Sequence, residues 1–152
     1  MEPAIILLDD KTDQAAKQML QNVVVRKKKF ETLKKKHLHS LWATMIIAAL
    51  FLIYLYLYIV VPYSYSFFKM FSVFVDHFSH FLFLAATTGI YGYMMMIKKK
   101  MDKAEKEFQL LRCEIINKSK QLWEKEDEWK NRHKVFDMMK KNYDINLFHE
   151  NK

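Results

Sequence analysis

Residues 41–61, LWATMIIAALFLIYLYLYIVV, contain no charged side chain, no glycine and no proline. A helix rises about 1.5 Å per residue, so about 20 apolar residues cross the hydrocarbon of a bilayer. These 21 residues therefore predict a membrane span. Tyr54, Tyr56 and Tyr58 alternate as they would on a strand. A lone strand in lipid leaves its backbone N–H and C=O groups without partners, so helix is the only workable reading. Trp42 stands at one end, with Tyr58, Tyr63 and Tyr65 at the other, where amphipathic rings favour the membrane–water boundary. Pro62 is expected to end the helix.

The 152 residues include only two glycines and two prolines, too little turn chemistry for sheets, so the chain reads as all-α. Overall 28% of residues are charged, 51% are hydrophobic and the net charge is +8, but these averages hide sharp segregation. That segregation argues against a single water-soluble core. A second apolar stretch must finish before Lys98, Lys99 and Lys100. Counting about 20 residues back from Ile97 puts its hydrocarbon portion at about Phe78 to Ile97, within a helix from about residue 75. The predicted organisation is an N-terminal helical arm at 1–40, a transmembrane hairpin at 41–97, and a C-terminal helical arm at 98–152. The spans cover about 41–61 and 75–97, joined by a short outer loop at 62–70.

Arg26, Lys27, Lys28, Lys29, Lys34, Lys35 and Lys36 precede the first span, and Lys98, Lys99, Lys100, Lys103, Lys106 and Arg112 follow the second. The connecting segment offers only Lys69. Seven and six against one predicts that both termini are cytoplasmic. The same lysines predict attraction to anionic headgroups, about 1 kcal/mol for each one near the surface. Because they flank apolar spans, topology already explains them, and no nucleic-acid partner is expected. MEPAIILLDDKTD lacks a basic start and has a short apolar run followed at once by acids, so no cleavable signal peptide is expected. AIILLDD would form a short apolar latch for a partner or the membrane surface, or a disordered end.

Both arms show helical periodicity. Met101, Phe108, Ile115, Leu122, Trp129 and Phe136 recur every seven residues, as a positions of a heptad. The d positions are Ala104, Leu111, Lys118, Lys125, Arg132 and Met139, apolar at the ends and cationic in the middle. No Gly or Pro interrupts 98–152, and a helix of about 40 residues there would reach about 60 Å from the membrane. Cations at d favour an antiparallel or irregular partner and would snorkel towards acids such as Glu124 and Glu126. The N-terminal arm, from about Asp10 to Ser40, carries Ala16, Met19, Val23, Phe30, Leu33 and His37 at three-four spacing. The two arms are expected to pair antiparallel, the alternative being two independently solvated helices.

In FSVFVDHFSHFLF, residues 71–83, the polar exceptions are Asp76, His77 and His80, apart from the two serines. Asp76 and His77 would lie at headgroup level and His80 half a turn deeper, where a polar group costs less than at the bilayer centre. On one straight helix, Asp76, His80, Thr87 and Tyr91 form a polar stripe opposite Ala85, Gly89 and Gly92. The small stripe is expected to pack on the first span near Ala43, Ala48 and Ala49, leaving the polar stripe for a second contact. Metal ligation by Asp76, His77 and His80 would need ligands from another copy, and proton sensing or relay is a separate alternative; an interface-level structural role is preferred. No cofactor, metal or catalytic site is expected. Walker, GxSxG, HExxH and dinucleotide-binding patterns are absent, and FDMMKKNYDINLF lacks calcium-loop spacing. The single cysteine, Cys113, excludes an intrachain disulfide and lies in no activating pattern.

MEPAIILLDDKTDQ, KKKHLHSLW and AATTGIYGYMMMIKKKMDKAEKEF, in a chain this short, resemble the YpbF-like family of small Bacillus-type membrane proteins. The resemblance covers nearly the whole chain. It implies a two-span protein of the bacterial plasma membrane, and it carries over no activity and no functional residues. The expected role is a membrane scaffold or interaction protein, not an enzyme. It would self-associate or dock another membrane or cytosolic protein through its cytoplasmic helices. The alternative is a subunit of an oligomeric ion channel or transporter using the Asp76/His77/His80 face.

Overall fold

A computed structural model describes residues 2–8 and 12–149, and every ordered element among them is helical. Two long helices dominate: α2 at Gln14–Leu55 and α5 at Phe78–Asn117. The expected start of the N-terminal arm at Asp10 lies outside the described residues. The chain divides into two compact units, Met1–Thr32 with Met101–Lys152, and Leu33–Lys100. They are called unit 1 and unit 2 below.

Unit 1 joins the short helix α1 (Pro3–Ile6), the first part of α2 and the last part of α5. To these it adds α6 (Ser119–Leu122) and α7 (Glu126–Tyr143). Its core collects Ile5, Leu20, Val23, Phe108, Ile115, Trp123, Phe136, Met139, Ile145 and Leu147. Within the apolar start of the chain, Ile5 is buried in this core, whereas Ile6 and Leu7 are exposed. The two arms do pack together here. Arg26 pairs with Glu107, and Lys27 reaches the carboxylate of Asp144 at 3.1 Å. Exposed pairs of this kind contribute about 0–1 kcal/mol each, so they set register while the apolar core supplies stability. Lys28 bonds Glu2 at 2.5 Å, which raises its pKa above 10.5, and burial raises that of Tyr143 nearby.

The single long C-terminal helix is not found. α5 stops at Asn117, and Trp123–Lys125 interrupt the path before α7. No glycine or proline marks these breaks; the cations do. Lys118 and Lys125, expected in a seam, stand instead as the residues flanking α6 and α7, each bonded to a nearby acid, Glu114 at 2.7 Å and Glu128 at 3.2 Å. A lysine buried in an apolar seam is costly, and a break at its position returns the ammonium to water. Arg132, the third cation, lays its guanidinium over the Trp129 ring at 3.6 Å from the centroid. α7 opens with Glu126, Asp127 and Glu128 and closes with Lys140 and Lys141, charges placed to favour its dipole. Asp144 ends it at φ 55°, where glycine is usual, while Ile145 N–H reaches back to the Met139 carbonyl.

Unit 2 contains the apolar stretches. α2 runs into a π-helical turn at Tyr56–Val60, then α3 (Val61–Tyr63). The helical path thus ends at Tyr63, one residue past Pro62. The proline ring would crowd the carbonyl four residues back, and Pro62 has no N–H to give; widening the preceding turn relieves both. The Val61 N–H accordingly bonds Tyr56 O, five residues away. The expected loop at 62–70 is partly helical as well. Ser66 opens α4 (Phe67–Asp76), its hydroxyl facing the Lys69 N–H at 3.4 Å. His77, in extended conformation, separates α4 from α5.

Along α2 and α5 the inward residues recur at three-four spacing. On α2 they are Ser40, Thr44, Ile47, Phe51 and Tyr54; on α5 they are His80, Thr87, Ile90, Met94 and Ile97. Phe83 joins them through ring contacts with Phe51 at 6.2 Å and Tyr54 at 5.4 Å. The expected packing of small residues is reversed. A methyl group on Gly89 or Gly92 would meet nothing within 4 Å, and Ala43, Ala49 and Ala85 are exposed; of the expected small residues only Ala48 is half-buried.

Candidate functional site

The polar residues singled out in the sequence sit where α4 meets α5. The last four carbonyls of any helix lack backbone donors within it. At the end of α4 one of these, Phe74 O, accepts a hydrogen bond from His80 Nδ1 at 2.9 Å. A carbonyl only accepts, so Nδ1 carries the proton. The His80 ring stacks on Phe74 at 5.3 Å between centroids, with 5° between planes, and meets Tyr54 of α2 at 5.5 Å. It is 2% exposed. His80 thus ties three segments together: the end of α4, the start of α5 and the apolar part of α2.

Asp76 and His77 do not share that place. Both are exposed, and the break at His77 puts Asp76 on a different helix from His80. The straight-helix stripe of Asp76, His80, Thr87 and Tyr91 does not exist. His80 meets Tyr54 of α2, Thr87 is half-buried with its hydroxyl donating to Phe83 O at 2.8 Å, and Tyr91 is exposed. The His77 and His80 rings touch edge-on at 5.6 Å, and Ser72 Oγ lies 3.4 Å from Asp76 Oδ2. Among the described residues, no three of His, Cys, Asp or Glu converge as metal ligands would. What the arrangement can do is fix the angle of α4 on the helices beneath it. Sequence spacing missed Tyr54 and Phe74 as the partners of His80. The available signal was the aromatic FSVFVDHFSHF, where an imidazole has rings on both sides to stack on.

A second feature lies in unit 1. An open groove of 490 Å³ at the α6–α7 junction is lined by Trp123, Trp129, Lys120, Glu124, Glu126 and Lys130. The Trp123 indole N–H behind it is buried without a hydrogen-bond partner.

The family described as "Protein of unknown function (DUF2663)" matches residues 19–150. The chain belongs to this family. It is also 39% identical over 145 residues to the uncharacterised protein YpbF of Bacillus subtilis (strain 168), covering 95% of each chain. The likeness to YpbF expected from the sequence is therefore shown. No solved structure matches the chain. For this DUF2663 member, both long helices pass as spans by length and composition.

Proposed function

We propose that this is an integral membrane scaffold of the bacterial plasma membrane. Its two apolar helices form a transmembrane hairpin, and both termini lie in the cytoplasm. There the paired arms, coiled-coil-like along α2 and α5, present a folded helical surface to a partner or a second copy. One observation carries the reading. Only 11% and 17% of the most apolar windows of the two long helices are buried within the protein. The core helix of a water-soluble domain buries such a window; a helix in lipid leaves it uncovered. The lysine runs at 26–36 and 98–106 border these windows on one side of the bilayer and favour anionic headgroups. A channel or transporter subunit using the Asp76/His77/His80 face is the weaker reading, since Asp76 and His77 are exposed while His80 is buried.

Single cysteines on a Cys113→Ser background test the topology. A membrane-impermeant maleimide added to intact cells should label position 66 and leave position 30 unlabelled. Labelling of position 30 would overturn the orientation. Crosslinking in native membranes should then capture a partner or a second copy, and a solitary monomer would remove the scaffold role.

A further inference from the structure

We propose that α4 is an interfacial helix that seats its apolar face on the outer lipid surface, held at a fixed angle by His80. The proposal rests on the membrane reading above. At about 100° per residue, α4 has three faces. Phe67, Phe71, Val75 and Phe68 fill an arc of about 100°, and all four are exposed, Phe68 to 87%. Ser72, Asp76 and Lys69 follow as a polar arc, also exposed. Val73, Met70 and Phe74 complete the circle and are half-buried within unit 2.

Length decides what covers the apolar arc. From Phe78 to Ile97, α5 already supplies the roughly 30 Å that a crossing needs. α4, at ten residues, is about 15 Å long and is not needed to cross, nor could it cross alone. It therefore lies at the boundary, and a helix there turns apolar residues to acyl chains and polar ones to water. The apolar arc also continues into other exposed apolar side chains, Tyr65 before it and Phe78 after it, with no charge between Phe78 and Val75 other than Asp76 on the polar side. Lys69 and Asp76 cancel, so this seat asks for no headgroup charge. The angle is set by the bond from His80 Nδ1 to Phe74 O and the ring stack beside it, which makes His80 a positioning residue.

The test places single nitroxide labels along 67–76, on the full chain with Cys113→Ser, in zwitterionic lipid vesicles. Collision with oxygen, which concentrates in lipid, is compared with collision by a water-soluble nickel chelate. The oxygen-to-nickel ratio should rise at 67, 68, 71 and 75 and fall at 69, 72 and 76, with a period of about 3.6 residues. Control labels at 53 and 84 report the spans themselves. Water access at 53 and 84 would sink the membrane reading and this proposal together. Lipid access there, with water access all along α4, would overturn the interfacial helix alone. So would occlusion of 67, 68, 71 and 75 from both probes, which would mean a protein partner. His80→Ala should flatten the periodic profile, and His80→Gln, which keeps a donor for Phe74 O, should restore it. An unchanged profile in His80→Ala would remove the role of His80.

Discussion

In unit 1, Ile5, Leu20, Ile115 and Met139 are wholly shielded from solvent. In unit 2, Leu50, Ile53, Leu57 and Leu84 have the same chemistry and all are exposed. Inward residues recur at three-four spacing in both, so the pattern alone does not distinguish them. What differs is the opposite face. Around α2 in unit 1 that face is mostly polar, with Gln18, Asn22, Arg26, Lys28 and Lys29; in unit 2, beyond His39, it becomes Trp42, Met45, Ile46, Leu50, Leu52 and Ile53. One helix can therefore serve two solvents, provided the outward residues change where the surroundings change.

The largest effect expected is in unit 1. Trp123→Ala should cost about 3–5 kcal/mol, as large-to-small changes in a packed core do. It should lower the melting temperature of unit 1 while leaving the chain in the membrane fraction. If it instead released the chain from membranes, the two regions would not be the separate structures described. The next effect falls in unit 2. Ile53→Lys should cost about 2.5–3.5 kcal/mol in an insertion assay if that face meets lipid. The same change at a water-exposed helix position would shift stability by no more than about 0.5 kcal/mol. His80→Ala removes a buried ring and leaves Phe74 O without its donor, and should cost about 1–3 kcal/mol. The expected sign is faster hydrogen exchange of the amides at the α4–α5 junction. The smallest effect is at the open face: Gly89→Ala should stabilise α5 by about 0.5–1 kcal/mol, because a methyl there meets no atom. Loss of assembly in that variant would instead reveal a partner packed against the glycines.

Two apolar helices were legible because an uncharged run of 21 residues has few other uses. The paired arms were legible from Val23 and Phe108 at seam spacing. The breaks were not, because a helix normally announces its end with glycine or proline, and here Lys118 and Lys125 do so through the cost of burying charge. The inward face of α5 was misassigned for a different reason. The break at His77 removes only Asp76 from the wheel; within α5 the error lay in expecting small residues to mark the packing face, whereas a methyl on Gly89 or Gly92 meets nothing. His80 then looked like a polar liability facing outwards, whereas a carbonyl at the end of α4 and two aromatic rings make the inside its favourable place.

The central claim is that lipid, and not protein or water, covers the outward faces of α2 and α5 in unit 2. Washing native membranes with alkaline carbonate tests it most directly, since the treatment strips peripheral proteins and leaves embedded ones. The account predicts that the whole chain stays in the pellet and enters solution only with detergent. Recovery of the chain in the carbonate supernatant would contradict it.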